Sequence, residues 1–179
     1  MKIYNNWKTD LKDSNKAIMS ISKTILPQLI SGEIYSIENV DNNILLMLDQ
    51  CSGIDIIRKN EKGLQGVAVR VQFGHNYNTF TIREKRHTGN KTELEKRIEQ
   101  IEGGYFYPAY TIQAYFNSRM DLNLKSIAII DTKDLYKFII DIKNNTLIYT
   151  NRSDNIFKFC YWKDLENYNC RIKIIDKSQ

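Results

Sequence analysis

Apolar positions near the start of the chain recur with helical spacing: Ala17, Ile18, Ile21, Ile25, Leu26 and Leu29 fall on one stripe. Asp13 or Ser14 is placed to cap such a helix, Pro27 to kink or shorten it, and Ser31-Gly32 to end it. Residues 33–39 read as a strand or a further helical turn, and Asn42-Asn43 breaks the chain before the apolar run Ile44 to Leu48. Three strands then follow in close succession, Ile54 to Arg58, Val67 to Phe73 and Thr79 to Arg83. On the second, Ala68, Arg70 and Gln72 share one face while Val67, Val69, Val71 and Phe73 share the other. On the third, Thr79, Thr81 and Arg83 alternate with Phe80 and Ile82. The connections Asn60-Glu61-Lys62-Gly63 and Gly74-His75-Asn76-Tyr77-Asn78 have turn composition, so an antiparallel meander is the natural pairing.

The polar stretch from Lys85 to Asn90 leads into a helix over about 92–101, with Thr92 as cap, Glu95 at the capping-box position and Gly103-Gly104 as the stop. From Tyr105 to Phe116, residues Tyr107, Ala109, Thr111, Gln113 and Tyr115 alternate against Tyr110, Ile112 and Phe116. Aromatics in such a strand read first as sheet core and second as platforms on which bases stack. Ile127 to Asp131 reads as a fully buried strand. Thr132 to Ile142 reads as a helix with Leu135, Phe138 and Ile139 inward. Later strands are expected at 146–150, 156–162 and 171–175, with a helical turn at 163–166. The fold class is therefore α/β (α+β): a central mixed sheet flanked by helices. No repeat or Pro/Ser linker divides the chain, so residues 1–179 form one domain, with a core over about 14–141 and a β-rich extension over about 142–179.

Composition narrows the function classes. A charged fraction of 26% with 42% hydrophobic residues excludes wholesale disorder. No apolar run approaches the roughly 18 to 20 residues that cross a bilayer, and the start of the chain lacks the apolar segment of a signal peptide, which points to a cytoplasmic protein without a membrane partner. Cys51, Cys160 and Cys170 have neither CxxC spacing nor accompanying histidines, so a reduced protein without structural zinc is expected. The net charge of +5 favours a polyanionic partner. Arg83, Lys85, Arg86, His87, Lys91, Lys96 and Arg97 crowd one window, where Glu84, Glu93 and Glu95 offset them in part. As function, Arg83, Lys85, Arg86, Lys91 and Arg97 grip phosphates together with Arg70, with Thr79, Thr81 and Arg83 on a sheet face continuous with that of Arg70; as plain structure, they are a solvated face. Lys8, Lys12, Lys16 and Lys23 read as a solvated helix face.

Candidate chemistry centres on Gly53-Ile54-Asp55 and, after the turn, Val67-Ala68-Val69-Arg70-Val71-Gln72. This pair resembles the PD-(D/E)XK nuclease superfamily, the restriction-endonuclease-like enzymes, whose core runs αβββαβ and which residues 14–131 can reproduce. The resemblance implies Asp55 as the Mg²⁺ ligand, Arg70 at the position of the family's Lys and Gln72 at an optional Gln; Ala68 stands where the second acid is expected. Mg²⁺ needs hard oxygen ligands, and Ala68 supplies none. Arg70 can clamp phosphate but, with a pKa above roughly 12, cannot shuttle a proton. Glu33, Glu38 and Asp49 are the carboxylates that could replace the missing acid.

The expected function is thus a catalytically degenerate, nuclease-like protein that binds nucleic acid, DNA first, in phage, mobile-element or defence biology. Two alternatives stand beside it. One is an inhibitor of anti-CRISPR or anti-restriction type that binds a CRISPR or restriction nuclease. The other is an active Mg²⁺-dependent DNA endonuclease in which Asp55, Arg70 and Gln72 are catalytic. Whether the chain is an enzyme and whether it forms a homodimer stay open. The plainest reading keeps Asp55 as the end of a strand turn and Arg70 as its surface ion-pair partner, worth roughly 0 to 1 kcal/mol.

Overall fold

A computed structural model describes residues 7–37, 43–85, 89–141, 147–150 and 156–177. The apolar stripe forms two helices, α1 (Trp7–Thr24) and α2 (Leu26–Leu29), broken at Ile25. Pro27 sits in the first turn of α2, where its missing N–H leaves no hydrogen bond unmade. Asp13 and Ser14 lie inside α1 rather than at its cap, so the helix starts earlier than the stripe indicates. The apolar run after Asn43 is a helix, α3 (Asn43–Ser52), between β1 (Glu33–Ser36) and β2 (Ile56–Asn60). Then come β3 (Gly63–Phe73), β4 (Thr79–Lys85), α4 (Glu93–Glu102), β5 (Pro108–Phe116), β6 (Leu124–Asp131) and α5 (Thr132–Asp141). The chain ends with β7 (Leu147–Thr150), β8 (Ile156–Tyr161), α6 (Trp162–Asn167) and β9 (Ile172–Asp176).

Two sheets result. The central sheet is mixed, with order β1-β2-β3-β5-β6-β9; the smaller one has order β4-β8-β7. As expected, β1, β2 and β3 form an antiparallel meander. The meander stops there, contrary to the sequence reading: β4 leaves the sheet and pairs antiparallel with β8. The edge of β3 that β4 would have used is taken by β5, which runs parallel to it. Between β3 and β4 the chain turns through Gly74 (φ 90°) and Asn78 (φ 50°), both left-handed, which redirects it out of the plane. Phe80 and Ile82 of β4 then pack with Trp162 and Leu165 instead of with the meander. The last strand, β9, returns to the central sheet beside β6, so the expected C-terminal extension is woven into both sheets.

Each face of the central sheet carries its own core. Ala17, Ile18, Ile21, Leu26 and Leu29 cover Ile56, Val67, Ile112, Ala114 and Ile127 on one face. On the other, Tyr115, Ala128 and Ile130 pack with Leu135, Tyr136 and Ile139 of α5 and with Phe80 and Trp162. Gly66 leaves room for its neighbours: a Cβ there would lie 2.6 Å from the Ile54 side chain and 3.2 Å from the Pro108 backbone, and the register shifts between Gly66 and Val67.

Candidate functional site

The second face is not fully closed. Between its core and the start of β2 lies a cleft of about 200 Å³. Its floor is Ala68 and Arg70 of β3 beside Thr111 and Gln113 of β5, which the parallel register places opposite each other. Its walls are Phe80, Thr81 and Ile82 of β4, Glu93 and Arg97 of α4, and the turn carrying Gly53 and Asp55.

Asp55 is held by backbone and side chain together. Its N–H donates to the Val67 carbonyl at 3.0 Å, and its own carbonyl accepts from the Ile37 N–H at 3.1 Å. Its Oδ2 accepts the Val69 N–H at 2.6 Å, just past the last β2–β3 pair. The carboxylate therefore extends the pairing with β3 just ahead of the first residue of β2. Arg70 and Asp55 share the cleft, yet the carboxylate that takes the Arg70 guanidinium is Glu93, at 2.7 Å. About a third of the Arg70 side chain stays exposed, so it can reach a ligand.

Helix α4 supplies the wall because its N-terminus is firmly built. The Thr92 hydroxyl accepts the Glu95 N–H and the Glu95 carboxylate accepts the Thr92 N–H, a complete capping box. Glu93, the first helical residue, is thereby fixed over Arg70, and Arg97 follows one turn later. Arg97 is only 4% exposed, and its Nη1 donates to the Ser52 carbonyl at 2.7 Å and to Gln100 Oε1 at 2.9 Å, both neutral acceptors. Gly53 makes room for it: its φ is +57°, and a Cβ there would lie 3.1 Å from the Arg97 guanidinium. Behind this wall, burial above all and then the Glu93 charge push the Tyr136 phenol well above its ordinary pKa, while Arg97 pulls it down.

Among the described residues, three side chains on the cleft carry a buried polar atom without a hydrogen-bond partner: Thr81 Oγ1, Arg97 Nε and Gln113 Nε2. Each such group costs roughly 1 to 3 kcal/mol when left unsatisfied. Two of the three are obligate donors, one of them on a cation. Glu93 lies against Arg70, and one oxygen of Asp55 already accepts an N–H. This donor set fits an oxyanion better than a hard divalent cation, which would need free carboxylate oxygens.

The structure separates the residues singled out by sequence. Asp55, Arg70 and Arg97 meet at the cleft. Gln72 lies on the same face of β3 but opposite Tyr115, away from the cleft lining. Arg83 belongs to the other sheet, its guanidinium 5.2 Å from the centre of the Phe157 ring, so the expected face continuous with Arg70 does not form. Among the β4 positions expected on that face, Thr81 does reach the cleft. Lys85 is exposed at the end of β4, and Lys91 pairs with Glu99 at 2.7 Å on the surface. Arg86, His87 and Glu38 lie outside the described residues. Glu33 sits at the exposed sheet edge with Lys59 and Tyr35, and Asp49 lines a neighbouring cleft with Lys96, Glu93 and Arg97. Tyr115 and Phe116 are core as expected, whereas Tyr105 and Phe106 are exposed.

Sequence reasoning missed Gln113 and the placement of Glu93. A Gln between Ile112 and Ala114 on an otherwise apolar strand was the available signal for the first. No family model, curated protein or solved structure matches this chain.

Proposed function

We propose that the chain binds nucleic acid by its phosphate backbone, with DNA as the expected polymer, on a nuclease-like scaffold that holds a strand rather than cutting it. The observation that carries this reading is the convergence of Arg70, Arg97 and Gln113 on one cleft whose floor has Ala68 in place of an acid. The order α1, the β1–β3 meander, α4 and a β5 parallel to β3 supports the resemblance to the PD-(D/E)XK core. Arg70 offers a planar fork that a phosphate can take bidentately, and it keeps its charge at any working pH. Glu93 takes one Nη2 hydrogen bond of that fork, so phosphate can use the donors that Glu93 leaves while the ion pair is kept. Proton transfer is not open to Arg70, and the only acid matching the family's metal-ligand pattern, Asp55, is already engaged with the Val69 N–H.

The test is fluorescence anisotropy with labelled single- and double-stranded oligodeoxynucleotides over a salt series. Affinity should fall linearly with salt on a log–log scale, and Arg70→Ala should weaken binding and reduce the slope by about one. Binding that is absent, or indifferent to salt, overturns the reading. Plasmid incubated with Mg²⁺ should stay intact; nicking that disappears in Asp55→Ala would show an active nuclease instead of a binding protein.

A further inference from the structure

We infer that the inner end of the cleft is an oxyanion subsite in which Gln113 Nε2 and Arg97 Nε receive oxygens of a single phosphate group. The inference deepens the nucleic-acid reading and takes from it only that the ligand bears phosphate. Neither residue belongs to the Asp55–Arg70–Gln72 set that the sequence suggested as catalytic.

Three observations carry it. Gln113 is 1% exposed and Arg97 4%, and both carry a buried donor that no group among the described residues accepts. Folding ordinarily leaves such donors paired, so two on one small cleft mark a place where a partner from outside completes the structure. Arg97 is moreover a buried cation whose Nη1 bonds go to neutral acceptors, so those bonds leave its charge for a ligand to balance. Finally, size selects the ligand: about 200 Å³ takes a phosphate with part of a sugar and falls below the roughly 300 to 1,000 Å³ of sites for larger organic molecules.

Chemistry favours phosphate over a neutral amide or alcohol. A neutral ligand would satisfy the Gln113 donor and leave the Arg97 charge unbalanced. A tetrahedral oxyanion presents acceptors in several directions at once, toward Gln113 in the floor and Arg97 in the wall. The Thr81 hydroxyl, also unpartnered on this cleft, can donate to a third oxygen. Asp55 and Glu93, which would repel the anion, have the Val69 N–H and the Arg70 fork as partners.

The decisive variant is Gln113→Met, which keeps the volume and removes the donor. If Gln113 were there for structure, its loss would destabilise the fold. If it waits for a ligand, the variant should melt at the same temperature as the parent or higher, because a costly buried donor is gone, and should bind phosphate about tenfold more weakly. Gln113→Glu, which places a carboxylate at the oxyanion position, should bind more weakly still. Side-chain amide NMR gives the direct readout: titrating inorganic phosphate, and separately a dithymidine dinucleotide with one phosphodiester, should move the Gln113 NH₂ pair, which is assigned by its absence in Gln113→Met. Arg97→Lys, which retains charge without the Nε donor, should show the same loss of affinity. Phosphate-dependent shifts that persist in the Met variant on other residues, with Gln113 unmoved in the parent, overturn the subsite. Oligonucleotide binding unaffected by Gln113→Met overturns the subsite while leaving the nucleic-acid reading intact. Response to inorganic phosphate without any response to the dinucleotide or oligonucleotides upholds the subsite and overturns the nucleic-acid reading, assigning the site to free phosphate or a small phosphate monoester.

Discussion

On β3 and β5, Val67, Val69, Val71, Ile112 and Ala114 face α1 and α2, while Ala68, Arg70, Thr111 and Gln113 face α4 and β4. The same two strands thus make both surfaces, one residue apart. On the first face a long helix lies along the sheet over a mostly apolar core, and the buried Ser22 hydroxyl of that helix is paired with the Ile18 carbonyl. On the second, α5, β4 and β8 cover part of the sheet with apolar side chains and α4 arches over the rest. The arch leaves a gap, and Thr81, Arg97 and Gln113, each with a buried polar atom unpartnered among the described residues, line it. Alternation sorts residues between the faces; the element that covers each face decides whether it becomes core or site.

The largest effect should come from the closed face. Ile112→Ala removes a fully buried side chain packed against α1 and should cost about 2 to 5 kcal/mol in denaturant unfolding. Its neighbour in sequence, Gln113, should show the opposite pattern when replaced by Met, with stability kept and phosphate affinity lost. Conversely, the folded fraction of Ile112→Ala should bind phosphate as the parent does. A loss in Ile112→Ala no greater than the roughly 0.5 kcal/mol of a surface change would mean that the two faces are not the distinct environments described here.

How far the sequence foretold this contrast depends on the range of the interactions involved. The α1 stripe, the α4 capping box and the inward positions Leu135, Phe138 and Ile139 were all legible, because each is set within a few residues. Asp55 and Arg70 were legible together because one hairpin carries them. The route of β4 was not, since its short connection to β3 has the composition of a hairpin turn; what draws β4 away is its pairing with β8, about 80 residues later in the chain. The span after Asn42 was readable only as apolar, and its length alone did not distinguish α3 from a buried strand. Gln113 and Glu93 escaped for the same long-range reason. Their meaning comes from β5 lying parallel to β3 and from α4 crossing above, and neither relation is written in local spacing.

A smaller effect should separate the arch from the rest of the open face. Thr92→Ala removes the hydroxyl half of the capping box and should cost about 1 kcal/mol. Because Glu93 and Arg97 ride on that helix, phosphate affinity should fall with it, although Thr92 itself touches no ligand. Amide exchange should quicken in the first turn of α4 and stay unchanged in α1. Equal loosening of both helices would mean that the arch and the closed face unfold as one unit.

The smallest effect is a pH dependence of the same wall. Hydrogen bonds from the Thr92 backbone N–H, and next from its hydroxyl, hold the Glu95 carboxyl below its ordinary value near 4.5. A carboxyl depressed in the folded state stabilises fully above its unfolded pKa and loses that contribution as pH falls through the folded one. The cap should therefore be intact above about pH 5 and weaken progressively as the solution is acidified below the ordinary Glu range. Arg171 depresses Asp134 in the same direction on α5, so global stability will also decline in acid and cannot isolate the cap. Local exchange can: the first-turn amides of α4 should lose protection as the pH falls below the ordinary Glu range, ahead of those in α1. Glu95→Gln keeps an acceptor for the Thr92 N–H without the ionisation, so in that variant α4 protection should be flat over the same interval. A pH response that survives Glu95→Gln would place the acid sensitivity of the open face outside the capping box.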